Sequence, residues 1–172
     1  INMVANGLWL VLFGMDSMPF FGLALVDAFF MLYSALSVLK VATHNHLNNW
    51  YEIILFRGGM SIYSGWLTTA TILNACFLLK SLGIDTGNTN VPNEVLMSKI
   101  ILGIAFLIYN SYAAVERNPL FGAIFLYVLV AIRAKLSGKE GLGDLVSFIE
   151  LLLPAHLGTD TLIGAFSLYE YF

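Results

Sequence analysis

Residues 61–74 read SIYSGWLTTATILN, a stretch that mixes apolar side chains with hydroxyl and amide groups. It is apolar enough for burial in lipid, yet it carries a tyrosine, three threonines, two serines and a final asparagine. Polar groups at membrane depth are costly unless they meet a partner. They therefore indicate either contacts between helices or the wall of a place where something binds.

The composition of the whole chain is that of an integral membrane protein. Of its 172 residues, 59% are hydrophobic and 11% are charged, whereas soluble domains contain about 25% charged residues. A soluble fold of this length could not bury so much apolar surface.

The net charge of −3, without a basic stripe, argues against nucleic acid as a partner. Cys76, the single cysteine, excludes a disulfide framework.

Apolar segments of membrane-spanning length recur along the chain. A spanning helix needs about 20 mostly apolar residues, and Pro19 and Pro119 are well placed to begin helices. We predict an all-α integral membrane protein with about five transmembrane helices. The predicted spans are 1–15 (the short remainder of a span in a longer precursor), 19–40, 59–82, 95–115 and 119–135.

The segments between and after these spans are predicted to lie outside the lipid core. Residues 41–58 read as an interfacial connection, and the Asn/Gly-rich loop 83–94 separates residues 1–82 from the two spans within 95–135. Residues 142–153 are too short to span and are cut by Pro154. We therefore expect residues 136–172 to form an interfacial helix and a docking tail.

Small residues in the stretch 61–74 favour close helix packing. Ser61, Gly65 and Thr69 recur every four residues and so share one helix face. This small-xxx-small pattern lets two membrane helices approach closely. A packing role is the simplest interpretation of these three positions.

A second strip on the same helix combines large rings with a gap. Tyr63, Trp66, Ala70, Asn74 and Phe77 supply aromatic walls, a small residue that leaves room, and an amide that could orient a guest. Asn74 could equally bond to a neighbouring helix, a contact typically worth about 1 kcal/mol. Spacing alone favours packing but leaves a pocket open.

The first two spans carry further polar groups at membrane depth. Asn2, Asn6 and Trp9 lie on one side of the first span, where we expect the asparagines to face protein and to meet polar groups of the third span. Asp27 lies deep within FFGLALVDAFFMLY. An intramembrane carboxylate is a functional candidate by default, although a protonated or helix-bonded Asp27 is an equal alternative.

Other chemistry has little support. His44 and His46 form an H-x-H pair, but no third metal ligand is near them in sequence, so we predict a polar interfacial loop and no metal site. The sequence shows no nucleophile–base pair and no phosphate-binding loop. We do not expect an enzyme.

The stretch 61–74 resembles the last helix of the translocator protein/tryptophan-rich sensory protein family, whose pattern is roughly Y-x-x-W-x-x-x-A-x-x-L-N. The matching positions are Tyr63, Trp66, Ala70, Leu73 and Asn74. The first span looks like that family's third helix through Asn6, Trp9 and Phe13, and Asp27 follows A-L-V as in its fourth helix. The resemblance covers about residues 1–80, without counterparts of the family's first two helices.

The resemblance implies a pocket for a tetrapyrrole, a sterol or a similar apolar ligand, together with bound lipids. The residues it implies for ligand binding are Trp9, Asp27, Tyr63, Trp66, Ala70 and Asn74. The alternative is a structural accessory subunit of a larger membrane complex, for example a mitochondrial respiratory assembly. In either case we expect lipids, and other membrane subunits or further copies of the chain, as partners.

Overall fold

The computed structural model describes residues 2–15, 17–44, 51, 53–82, 91–139 and 141–169. All regular secondary structure within these ranges is helical. The chain divides into two compact units, Ile1–Asp85 and Thr86–Phe172. Each unit contains three of the described α-helices and is described by itself.

The first unit begins with two antiparallel helices joined by a short turn. Helix α1 spans Asn2–Gly14 and α2 spans Met18–His44. The carbonyl oxygen of Ser17 accepts the N–H groups of Phe20 and Phe21, each at 3.0 Å, which closes the first turn of α2. Pro19 fits in this turn because its missing N–H would have no partner there. Helix α2 is longer than the predicted span 19–40.

The third helix of this unit is preceded by a π-helical segment. Residues Ile53–Gly58 form this segment, and α3 follows as Gly59–Ser81. The Ser61 hydroxyl donates to the carbonyl oxygen of Arg57 at 2.6 Å, across the junction between the two. Part of the predicted interfacial connection 41–58 is thus helical, while residues 45–50 and 52 lie outside the described ranges.

Helices α2 and α3 pack against each other along stripes of small residues. The buried residues of α2 are mainly alanines, namely Ala24, Ala28, Ala35 and Ala42, together with Met31 and Leu39. The buried residues of α3 include Ser61, Ser64, Gly65, Thr68 and Thr71. Small side chains let helix backbones approach closely, which strengthens dispersion contacts where no hydrophobic effect acts between helices.

The hydroxyls of this stripe are mostly satisfied within α3 itself. Thr68 donates to the carbonyl oxygen of Ser64 at 2.9 Å, and Thr71 donates to that of Leu67 at 2.7 Å. Thr69, only half-buried, makes a longer bond of 3.4 Å to Gly65. These bonds satisfy the threonine hydroxyls within α3, whereas the buried Ser64 hydroxyl has no hydrogen-bond partner in the described structure.

The second unit is a bundle of α4 (Val91–Val115), α5 (Pro119–Leu136) and α6 (Gly143–Tyr169). Helix α4 begins before the predicted position 95. Between α4 and α5, Arg117 has a positive φ of 49°, and Asn118 caps α5 by accepting the Phe121 N–H at 3.3 Å. Pro119 then takes the first helical position, as its fixed φ favours.

The prediction that residues 142–153 form a short segment cut by Pro154 is wrong. Helix α6 is continuous from Gly143 to Tyr169 with Pro154 inside it. It runs antiparallel to α5, with contacts at three levels along α5 and the turn that precedes it. These are Arg133–Glu150 at 2.8 Å, Gly122–His156 at 2.8 Å and Arg117–Ser167 at 3.0 Å. Packing along α5 keeps this helix together where an isolated proline would interrupt it.

Five helices of the described ranges are long and apolar enough to cross a membrane, which confirms the predicted number. They are Met18–Thr43, Ile54–Ser81, Val95–Val115, Pro119–Leu136 and Gly143–Ser167. The prediction counted the first span, 1–15, among the five. In the structure the fifth spanning helix is the C-terminal one, and Asn2–Gly14 is a shorter apolar helix. The protein is an all-α integral membrane protein.

Candidate ligand-binding site

The first unit joins two of the predicted site residues directly. The indole N–H of Trp9 on α1 donates to Oδ1 of Asn74 on α3 at 3.1 Å. The amide nitrogen of Asn74 donates to the carbonyl oxygen of Ala70 at 2.7 Å, which sets the orientation of the side chain. Asn74 is only 2% exposed. Its amide therefore holds α1 against α3 at membrane depth.

Aromatic rings surround this hydrogen bond. Trp9 stacks on Phe13 with ring centroids 5.3 Å apart. Phe13 meets the edge of Phe77 at 5.3 Å and that of Phe21 at 5.6 Å. Phe21 and Phe77 stack at 6.2 Å. These four rings, which we call the aromatic cluster, bring α1, α2 and α3 together around the apolar end of the Trp9 side chain.

A second polar contact lies at the opposite end of α1. The Tyr63 hydroxyl donates to Oδ1 of Asn2. The Asn2 amide nitrogen contacts the Met31 carbonyl oxygen at 3.0 Å and the Ser34 hydroxyl at 2.6 Å. Tyr63 is thus linked to Asn2, seven residues and about two helical turns from Trp9 along α1. Helix α1 is bonded to α3 at its N-terminus and near its middle.

Asn6 differs from the expectation that both asparagines face protein. Its side chain is exposed in the first unit, whereas Ala5 is buried and Trp9 is partly buried. The buried side of α1 is centred on Ala5, which packs in a small core with Met31, Ala35 and Leu67. Asn6 follows Ala5 and is turned to the edge of that side.

The remaining residues of the predicted strip form a partly open edge of α3. Trp66 is 46% exposed and Phe77 is 44% exposed, while Ala70 between them is half-buried. Eleven residues separate the two rings, which is about 16 Å along a helix axis. The edge offers two accessible rings with a small side chain between them.

Asp27 lies on α2 between Phe21, which belongs to the aromatic cluster, and Met31, whose carbonyl oxygen contacts Asn2. Its side chain is half-buried, and its Oδ2 atom is buried without a hydrogen-bond partner in the described structure. An unsatisfied carboxylate oxygen at this depth is costly. A hydrogen-bond donor from a ligand or a neighbouring protein would therefore satisfy Asp27.

Sequence analysis missed a deeply buried polar cluster in the second unit. His156 is 0% exposed, and it contacts Asn110 of α4 and Gly122 of α5. The H-x-x-x-D spacing of His156 and Asp160 was the available signal, because residues four apart share a helix face. A helix that breaks at Pro154, as the sequence predicts, would not place this face in a helix bundle.

Two other predicted features are placed as follows. Ser61 and Gly65 are buried on α3, and Thr69 is half-buried there. A packing role for these three residues remains a prediction. Of the H-x-H pair, His46 and the side chain of His44 lie outside the described part of the structure.

Comparison with known protein families gives one match that covers most of the chain. The model of the family described as TSPO-like protein matches residues 1–162. Comparisons with curated proteins and with solved structures found no match. The matched region extends well beyond the resemblance seen over residues 1–80 and includes helices of both units. The chain therefore belongs to the TSPO-like protein family.

Proposed function

We propose that the protein binds a flat apolar ligand of the tetrapyrrole or sterol class at the partly open edge of α3. The observation that carries the proposal is the pair of half-exposed rings, Trp66 and Phe77, on either side of Ala70. A flat ligand can stack on such rings and use the room above a small side chain. Membership of the TSPO-like family supports a ligand of this kind.

The polar groups next to this edge suit a ligand with a polar end. Asn74 uses one N–H for Ala70 and accepts one hydrogen bond from Trp9, so a second donor and a second lone pair of its amide remain. Opening of the Trp9–Asn74 bond would turn both groups towards a guest. We assign Asn74 and Trp9 the orienting role and Trp66, Ala70 and Phe77 the stacking role.

Asp27 and Tyr63 have secondary parts in this proposal. The unpartnered oxygen of Asp27 would accept a hydroxyl or N–H group of a ligand that reaches α2. Tyr63 holds Asn2 and thereby supports the position of α1.

The test is a titration of the nanodisc-embedded protein with protoporphyrin IX, followed by quenching of tryptophan fluorescence. We expect Ala70→Phe to fill the space between the rings and to weaken binding at least about tenfold, equivalent to about 1.4 kcal/mol. Trp66→Phe should reduce the amplitude of quenching as well as the affinity, because it removes a fluorescent reporter and replaces the indole by a smaller stacking ring.

Two controls separate site binding from partition into lipid. Empty nanodiscs of the same lipid measure partition alone. Val26→Phe places the same added ring on an exposed position of α2 and should leave the affinity unchanged. An Ala70→Phe variant that binds protoporphyrin IX like the unmodified protein would show that the ligand does not use this edge.

A second candidate function is supported by the exposure of Asn6. A carboxamide on the outside of an apolar helix is costly in lipid, so we infer that another protein covers this side of α1. On this view the chain is an accessory subunit of a larger membrane assembly, of which a mitochondrial respiratory complex is an example. Lateral partners of the same chain would satisfy Asn6 in the same way.

A photo-crosslinking amino acid at position 6 tests this candidate in native membranes. Position 4, on the opposite and strongly exposed side of α1, provides the matched control. We expect position 6 to give protein adducts, identified by mass spectrometry, and position 4 to give mainly lipid adducts. Recovery of a lone chain in mild detergent, without adducts at position 6, would contradict the candidate.

A further inference from the structure

The core of the second unit contains a histidine whose two ring nitrogens both face oxygen acceptors. Nε2 of His156 lies 2.8 Å from the carbonyl oxygen of Gly122. Because a backbone carbonyl can only accept, Nε2 must carry a proton. This first step depends on a buried contact of ordinary hydrogen-bond length.

The second ring nitrogen faces the side chain of Asn110. Nδ1 of His156 lies 3.2 Å from Oδ1 of Asn110. The orientation of the Asn110 amide is set by its nitrogen, which donates to the carbonyl oxygen of Phe106 at 2.7 Å. A flipped amide would put two acceptors against each other there. Oδ1 therefore faces His156, and Nδ1 is satisfied only when it too carries a proton.

A carboxyl group lies one turn along α6. Oδ2 of Asp160 is 3.5 Å from Nε2 of His156. Asp160 is 9% exposed, and its Oδ1 atom is buried without a hydrogen-bond partner in the described structure. A charge inside a membrane helix bundle normally has an opposite charge beside it. The two side chains meet this condition together.

We propose that His156 and Asp160 form a membrane-embedded proton-binding site, in which His156 holds protons on both ring nitrogens and Asp160 is its counter-ion. The neutral alternative has one proton on Nε2 and the other on Asp160. It leaves Nδ1 of His156 against Oδ1 of Asn110 without a proton between them. The oxygens around the ring favour the charged pair. This site is independent of the ligand proposed for the first unit.

The surroundings of the ring on each helix are as follows. Helix α4 contributes the neutral Asn110, the ring of Phe106, and Tyr109, a titratable residue that stacks on Phe125. Helix α5 contributes the Gly122 carbonyl and Phe125, both neutral. Glu116, six residues beyond Asn110, follows the last residue of α4 and lies about 9 Å from Asn110 along the helix axis. Among the residues described around His156, Asp160 is the acidic group in contact with it.

The geometry also limits what else His156 can do. Both nitrogens are engaged by protein oxygens, so neither is free to coordinate a metal ion or the iron of a tetrapyrrole. The Thr159 hydroxyl contacts Oδ1 of Asn110 as well and helps to hold the amide in place. The cluster binds protons rather than metals.

The experiment detects protons on the ring nitrogens of His156 in the full-length protein. A His44→Gln/His46→Gln variant leaves His156 as the single histidine of the three in the chain. It is labelled with ¹⁵N-histidine and placed in lipid nanodiscs at about pH 8, where an ordinary imidazole is mostly neutral. We expect one-bond ¹H–¹⁵N correlations from both Nδ1 and Nε2. A proton on Nε2 alone would overturn the proposal.

The counter-ion role is tested separately. Asp160→Asn keeps the size of the side chain and removes its charge, so we expect the Nδ1 proton signal to be lost while the Nε2 signal stays. Thr161→Val, on an exposed position of the same helix, is the matched control and should retain both signals. Two persistent signals in Asp160→Asn would show that Asp160 is not the counter-ion. The spectrum of the parent protein tests the proton site even if this variant does not fold.

Discussion

Single residues hold the helices of this protein together where lipid offers no hydrogen bonds. Asn74 joins α1 to α3 through Trp9, and Asn110 joins α4 to α6 through His156. Each amide also donates to a carbonyl oxygen four residues earlier in its own helix, which sets its orientation. Both units therefore contain an asparagine that bonds to its own helix and to a neighbouring helix. Interhelical hydrogen bonds of this kind contribute about 0.6 kcal/mol on average in membranes.

Gly122 is required by the close approach of Asp160. A Cβ atom at Gly122 would lie 2.1 Å from Oδ1 and 2.7 Å from Cγ of Asp160. We expect Gly122→Ala to lower the free energy of unfolding of the second unit by about 1–3 kcal/mol, because overpacking a buried contact forces side chains out of place. Unfolding in a dodecyl sulfate titration measures this change.

Gly103→Ala on α4 is the matched control for this prediction. No atom lies within 4 Å of a Cβ built there, so we expect no loss of stability, or a small gain from the better helix propensity of alanine. The double variant Gly122→Ala/Asp160→Ala should lose less stability than the sum of the two single variants. Equal losses for Gly122→Ala and Gly103→Ala would contradict the contact.

At the scale of elements, the fold is built from helix pairs of two kinds. The pair α2–α3 packs through small side chains, chiefly alanines on one helix and serine, threonine and glycine on the other. The second unit packs through larger groups: Phe121 and Phe125 of α5 meet Tyr109 of α4, Phe125 also meets His156 of α6, and Leu129 and Ile149 are fully buried. Small residues let backbones approach closely, and in the second unit Gly122 does so at the point where α6 carries His156 and Asp160.

Ser64→Leu should separate α2 from α3. Ser64 is fully buried in the small-residue stripe, and the added bulk has no space there, so we expect a loss of about 1–3 kcal/mol. Ser37→Leu makes the same substitution on an exposed position of α2 and should be neutral or slightly stabilising in lipid. Steric trapping of the protein in bicelles measures both changes. A tolerated Ser64→Leu would mean that the stripe is not tightly packed.

At the scale of the whole molecule, the chain has two helical units and five helices of spanning length within its described ranges. The alignment of α6 with α5 over three levels has a topological consequence. If α5 crosses the membrane, α6 crosses it in the opposite direction. Arg117 and Ser167 then lie on one side of the membrane, and Lys139, between α5 and α6, lies on the other.

Cysteine labelling tests this topology. In a Cys76→Ala background, Arg117→Cys and Ser167→Cys should react with an impermeant maleimide from the same side of sealed vesicles. Lys139→Cys should react only from the opposite side, or after the vesicles are opened. If Ser167→Cys and Lys139→Cys reacted from the same side, α6 would lie along the membrane surface, as the sequence suggested.

The sequence by itself determined the class of protein, the number of spanning helices and the residues of α3 that match a family pattern. These follow from hydrophobic length and from local spacing, both of which act within one segment. Ser64, Thr68 and Asn74, which are buried on α3, all belong to the polar stretch 61–74.

Only the tertiary structure decided which polar groups meet. Trp9 and Asn74 are 65 residues apart, and Asn110 and His156 are 46 residues apart, so no local pattern pairs them. The structure alone also turned Asn6 outwards and kept α6 continuous through Pro154. Such features depend on which helices become neighbours, because a polar group in lipid is satisfied by whatever partner packing brings to it.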